Sequence, residues 1–99
     1  MNSFEWDEQK NLINIEKHGI DFEDAISIFL GSTLEAADDR FDYGEARVVA
    51  YGKTNGHVLA VVYTMRGDSC RIISARKANK DERNAYYAAL FERPPDRSD

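Results

Sequence analysis

The stretch VLAVVY, residues 58–63, constrains this chain more than any other. Successive side chains of a strand point to opposite faces, so an unbroken apolar run leaves neither face for water. Such a strand belongs at the centre of a sheet with cover on both sides. Its flanks carry turn chemistry: Asn55-Gly56 upstream is a two-residue hairpin signal, and Arg66-Gly67-Asp68 downstream is a second turn. The pattern predicts strands over residues 46–52, 57–65 and 70–76, joined as a meander. A weaker strand over 33–37 precedes them, and the acidic stretch 38–45 reads as a loop.

Helical signals bracket this region. Residues 4–6 form a candidate short strand, after which Asp7 is placed to cap a helix with Glu8 in its first turn, both at the positive end of the helix dipole. Leu12, Ile13 and Ile15 are read as that helix's apolar side, and Gly19 as its stop, because glycine accepts the left-handed backbone of a helix terminus. Asp21 caps a second helix in which Phe22, Ala25, Ile26 and Phe29 fall at i, i+3, i+4 and i+7. Asn79 followed by Glu82 resembles a capping box, opening a last helix with Ala85, Tyr86, Ala89 and Leu90 on its apolar face. The expectation is an α+β fold: two N-terminal helices and a C-terminal helix packed on a small antiparallel sheet. It spans residues 1–91 as one domain, with ERPPDRSD (92–99) a flexible tail.

A chain of 99 residues can bury one modest core, so any site must be built on that core's edge. No apolar run is long enough to cross a bilayer, the first residues lack a secretory pattern, and Cys70 has no partner within the chain. A cytoplasmic location is the expectation, with no membrane association. The formal net charge of -5 argues against broad affinity for nucleic acid, since phosphate binding depends on Lys and Arg releasing counterions. The charge is unevenly spread, however. Residues 33–45 hold Glu35, Asp38, Asp39, Asp42 and Glu45 against Arg40, whereas residues 66–83 hold Arg66, Arg71, Arg76, Lys77, Lys80 and Arg83 against Asp68, Asp81 and Glu82.

The segment RIISARK, residues 71–77, sets cations on an otherwise apolar strand. Strict alternation sends Cys70, Ile72, Ser74 and Arg76 one way and Arg71, Ile73, Ala75 and Lys77 the other. A buried guanidinium is costly unless paired, so these arginines either meet a carboxylate, Glu45 for example, or open onto a groove. Arg66, in the hairpin turn, lies near Arg71 by connectivity but is not held near Arg76. KHG, residues 17–19, has two compatible readings. Lys17 and His18 complement the negative end of a helix dipole, and the same imidazole and ammonium could move a proton or balance phosphate charge. With two histidines and one cysteine there is no zinc-ligand spacing, and no phosphate-cradling glycine loop, dinucleotide fingerprint or nucleophile elbow is present. No metal or cofactor is expected. Ser74 reads as a small residue on a crowded face, and His57 as a strand-start residue.

Taken in order, FEWDEQK, KHGIDFEDA, GEARVVAYG, VLAVVYTMRGD and RIISARKANKDERNAYY resemble the BrnT toxins, a branch of the RelE-like ribonuclease superfamily. The likeness runs from Phe4 to about Tyr87, with Leu30-Gly31-Ser32 standing where members often carry an Asp-Pro pair. The resemblance implies a RelE-like α+β domain that cleaves RNA without a metal as the toxin of a type II toxin-antitoxin pair. It implies a cognate BrnA-like antitoxin, contact with operator DNA only through that antitoxin, and a hetero-tetramer of two toxins and two antitoxins. Lys17, His18, Arg66 and Arg76 are the catalytic candidates so implied: Arg76 and Arg66 for the phosphate, His18 to protonate the leaving 5′-oxygen, Lys17 as electrostatic support or base. Arg71, Lys77 and Tyr86 are candidates for RNA contact, Tyr86 by stacking a base. Two other classes remain open on the residues alone. One is a non-enzymatic binding module whose cations grip an acidic partner; the other, less favoured by charge, is a direct DNA-binding repressor.

Overall fold

The computed structural model describes residues 3–40 and 44–91; the expected tail, 92–99, lies outside them. Among the described residues the elements run β1 (Ser3–Trp6), α1 (Glu8–His18), α2 (Phe22–Ala25), a 3₁₀ segment (Ile26–Leu30), β2 (Leu34–Ala37), β3 (Val48–Thr54), β4 (His57–Arg66), β5 (Ser69–Lys77) and α3 (Lys80–Leu90). The sheet order is β1-β5-β4-β3-β2, so the apolar run sits on the middle strand. Leu59, Val61 and Tyr63 enter the main core with Phe22, Ala25, Ile28 and Ile72, while Ala60 and Val62 pack on Val49 across the other face. Strands β2 to β5 form the expected meander, with Asn55 and Gly56 both at positive φ in the β3–β4 turn.

The sheet is mixed, not wholly antiparallel: β1 runs parallel to β5. Consecutive hairpins impose opposite directions, but β1 and β5 are joined through the helices and the whole meander, so no tight turn dictates their sense. Pairing between them ends at Trp6 with Ile72, and β5 then continues to Lys77 with its outer edge open to α1.

That open edge corrects the reading of α1. Its buried residues are Asn11 and Asn14, whereas Leu12 and Ile13 are more than half exposed and Ile15 is exposed at the margin. The Asn14 amide accepts from the Ala75 N–H at 3.1 Å and donates to the Ala75 carbonyl at 2.8 Å, as a further strand would, and its second N–H donates to the Ile20 carbonyl at 2.9 Å. Asn11 accepts from the Phe22 N–H at 2.9 Å and donates to Asp21 at 3.0 Å. The inner strip of α1 is polar because it meets unpaired backbone, whose buried donors and acceptors must be satisfied. The caps at Asp7, Gly19 and Asp21 are as expected.

The second helix is shorter than its stripe suggested. Helical hydrogen bonding tightens to 3₁₀ after Ala25, and the fully buried side chains become Phe22, Ala25 and Ile28, spaced by three. Ile26 and Phe29 pack at the core's margin, Phe29 against the Phe4 and Tyr63 rings. Ile28 lies so close to β3 that a Cβ at Gly52 would stand 2.6 Å from its own Cβ.

Strand β5 breaks strict alternation. Val62 pairs with Ser74 but Tyr63 pairs with Ile72, leaving Ile73 as a bulge residue. Cys70, Ile72 and Ala75 therefore share the core face, and Arg71, Ser74 and Arg76 share the opposite one. At the end of that opposite face α3 packs through Tyr86, Tyr87 and Leu90 against Val58, Ala78, Leu34 and Tyr51. Ala85 and Ala89, expected on the inner side of α3, are exposed. Replacing Gly52 with Ala is expected to lower stability by about 1–3 kcal/mol, because neither the Ile28 Cβ nor the β3 backbone can move aside cheaply. A urea midpoint unchanged from wild type contradicts that packing.

Candidate active site and RNA interface

The cations expected to act together fall into separate groups. At the β4–β5 hairpin, Gly67 at φ 61° turns the chain, and Arg66 and Arg71 lie on one face as connectivity suggested. Arg71 Nη1 donates to Glu5 at 2.7 Å, so its partner is Glu5 and not Glu45. Glu45 faces Arg66 at 3.7 Å and Arg47 at 3.2 Å. The Arg71 guanidinium holds the Glu5 carboxyl below the ordinary carboxylate range.

Arg76 lies toward the other end of the same face. Arg66 pairs in register with Ser69, and the strand from Ser69 to Arg76 covers roughly 23 Å at about 3.3 Å per residue. The expectation that Arg66 and Arg76 hold one phosphate together fails on this geometry. Arg76 instead forms a fork-to-fork pair with Glu82, at 2.7 and 2.8 Å, within a groove that also includes Ser74, Tyr51, Asp38 and Arg40. The capping box is fully formed: Glu82 accepts from the Asn79 N–H at 2.9 Å and the Asn79 side chain accepts from the Glu82 N–H at 2.8 Å. Tyr51 donates to the same carboxylate at 3.2 Å. Arg76 chiefly, with the Asn79 N–H and Tyr51 hydroxyl, lowers the Glu82 carboxyl to about 2.

Lys17 and His18 are exposed at the end of α1, where Gly19 takes φ 72° and its N–H donates to the Ile15 carbonyl at 2.7 Å. The Asn14–Ala75 pairing fixes α1 along β5. Past that pairing α1 runs on to His18 and its Gly19 cap, and β5 runs on to Lys77. A shallow cavity whose lining includes Gly19, Asp24, His57 and Lys77 joins the two elements. Gly19 and Lys77 thus line one cavity and Arg76 lies in a separate groove beside Glu82, with Arg66 and Arg71 toward the other end of β5.

Tyr86 does not present a ring to a base. It is 2% exposed, packed against Val58 and Ala78, so stacking would require unfolding α3. Tyr87, which the sequence reading passed over, is half-buried at the rim with the Lys53 ammonium 5.5 Å from its ring centroid. Its position at i+4 from Arg83 was the available signal. Cys70 is fully buried, and burial pushes its thiol up to about 11, so it is a packing residue. Among the described residues no group of three His, Cys, Asp or Glu side chains is arranged to hold a metal ion, and no helix is long and apolar enough to cross a membrane.

A family model described as the ribonuclease toxin BrnT of type II toxin-antitoxin systems matches residues 6–82. The chain belongs to the BrnT family. The crystal structure of the Brucella abortus ribonuclease toxin BrnT is 31% identical to it, with a TM-score of 0.61, and the match covers 81% of this chain and 100% of that one. No curated protein matches. Membership makes the chain a ribonuclease toxin of the type II class, with RNA as its target and an antitoxin as its partner. In this BrnT-family fold α1 and β5 lie within the matched span, and α3 begins inside it.

Because Glu82 is ionised well below its ordinary value of 4.5 in the folded chain, its ion pair contributes stability above about pH 4.5 that is lost as the pH falls toward about 2. Glu82→Gln keeps a side chain suited to the capping box but removes the charge. The variant is expected to be less stable at pH 7 by about 1–3 kcal/mol, with the gap closing between pH 4.5 and pH 2. Denaturant unfolding across that range measures it, and a gap independent of pH contradicts the pairing.

Proposed function

We propose that the chain cleaves RNA without a metal, by attack of a ribose 2′-hydroxyl on the adjacent phosphate, at the end of β5 that faces the α1 terminus. The observation that supports the reading is the Asn14–Ala75 pairing, which fixes α1 along β5 so that Gly19, next to Lys17 and His18, shares a cavity with Lys77, the residue after Arg76. Such a reaction requires the phosphate to be fixed, its developing charge balanced, and a proton given to the leaving 5′-oxygen. Arg76 holds the phosphate, with its guanidinium plane preset by Glu82 and its Nε not engaged in that fork. His18 protonates the leaving oxygen, Lys17 supplies electrostatic support or acts as base, and Lys77 contacts the neighbouring backbone. Arg66 and Arg71 engage the same strand several nucleotides away.

The proposed setting is the cytoplasm. There a BrnA-like DNA-binding antitoxin covers the cationic surface, carries the complex to operator DNA, and assembles with the toxin as two copies of each. Coexpression with the neighbouring reading frame followed by copurification and mass measurement tests that assembly, which a complex of any other stoichiometry contradicts.

Cleavage of a defined RNA by purified chain in the presence of EDTA is the test of the chemistry. Arg76→Ala and His18→Ala are expected each to lower kcat/KM by about 10²–10⁴, whereas Arg66→Ala raises KM about tenfold or less with kcat retained. A 2′-deoxy substitution at the scissile nucleotide abolishes cutting. Full activity in both the Arg76 and His18 variants, each shown to be folded, removes the assignment, and loss of activity on chelation removes the metal-free mechanism.

A further inference from the structure

The arginines already described are each matched by a carboxylate, but a second set of cations is not. His57 opens β4, Lys77 closes β5, and Arg83 and Tyr87 project one helical turn apart from α3 onto a cavity of about 260 Å³. The Ala78 N–H bonds to the Val58 carbonyl at 2.9 Å, extending the β4–β5 ladder to the cavity floor. Arg83 Nη1 donates to the Ala78 carbonyl at 2.9 Å, which anchors the guanidinium and leaves its other N–H groups available. Lys53 lies over the Tyr87 ring.

No carboxylate lines this cavity, and among the described residues none stands within ion-pair distance of Lys53, Lys77 or Arg83. Gathering like charges without a close counter-charge is unfavourable in the free chain, a cost that an anion bound in the cavity removes. The cavity shares His57 and Lys77 with the one that reaches Gly19 at the end of α1, where Asp24 is the one carboxylate among the described residues of the lining, so a strand lying across the proposed catalytic end continues into it on the Lys77 side.

We infer that His57, Lys77, Arg83 and Tyr87 form a nucleotide subsite for single-stranded RNA, next to the scissile phosphate. Lys77 and Arg83 take a backbone phosphate, His57 closes the rim beside it, and Tyr87 supplies an aromatic wall for the adjoining base. The aromatic wall favours RNA over an acidic peptide, because a base adds a stacking contact that a carboxylate side chain lacks. The inference rests on the ribonuclease reading and adds to it where the substrate is held.

Anisotropy of a dye-labelled, uncleavable 2′-O-methyl RNA measures binding by the full chain, and unmodified RNA measures cleavage. Arg83→Gln is expected to weaken binding about five- to twentyfold and to shallow the dependence of log Kd on log salt by roughly 0.7, with Arg83→Lys recovering much of both. Tyr87→Ala is expected to weaken binding roughly tenfold with the salt slope unchanged. On unmodified RNA, Arg83→Gln raises KM and leaves kcat near wild type. Lys10→Gln, an exposed α1 cation outside the site, serves as the charge-matched control. If the folded Arg83 and Tyr87 variants bind RNA as the control does while wild type still cleaves, the subsite is overturned and the ribonuclease reading stands. If Arg83-dependent binding persists without any cleavage by wild type, the subsite stands and the catalytic reading falls. Tighter binding of polyglutamate than of RNA, with the same dependence on Arg83, overturns the subsite in favour of an acidic protein partner.

Discussion

One side-chain amide sets the layout of this molecule. β1 ends at Trp6 while β5 continues to Lys77, and the exposed edge between them would leave backbone groups unpaired in a partly buried setting. Asn14 occupies that edge, returning both hydrogen bonds of Ala75 and tying in Ile20 just past the helix end. The helix is thereby locked in register along the strand and not merely laid on a hydrophobic layer. Its C-terminal residues, Lys17 and His18, are carried to the end of the sheet where Lys77 emerges.

The second organising feature is how charge is handled. Here the arginines along β4 and β5 are paired with Glu5, Glu45 and Glu82, Arg76 through two parallel bonds that fix its plane. Glu82 also caps α3 and accepts from Tyr51, so one carboxylate joins helix, central sheet and guanidinium. Beyond them, the residues around His57, Lys77 and Arg83 carry no such partner among those described. The cations without an ion-pair partner among the described residues thus include Lys53, Lys77 and Arg83 around one cavity.

Much of this was legible in the sequence, for reasons local to each residue. Asp7, Gly19, Asp21 and the Asn79–Glu82 pair mark helix ends through bonds made within four residues, and Asn55-Gly56 sets its hairpin through backbone geometry alone. The apolar run had to be central. The misreadings share a different cause, since each depended on a partner distant in sequence. Nothing near Ile73 announces the bulge that places Arg71 and Arg76 on one face. Leu12 and Ile13 look like a core stripe until the surface that α1 meets proves to be a strand edge, for which Asn11 and Asn14 are the suitable residues. Tyr86 and Tyr87 are indistinguishable by composition, and only the packing of α3 on Val58 and Ala78 decides which ring is buried. Family motifs named the candidate cations but not their spacing in the fold, since the distance between Arg66 and Arg76 follows from the length of β5.

The central claim is that RNA is engaged at the α1 and α3 end of β5. Amide chemical-shift mapping of the full chain titrated with uncleavable single-stranded RNA tests it most directly. The account predicts the largest shifts at Gly19, Lys77, Ala78 and the first turn of α3, with smaller ones near Arg66 and Arg71. Shifts centred on the Gly67–Asp68 turn, with Gly19 and Lys77 unmoved, would contradict it.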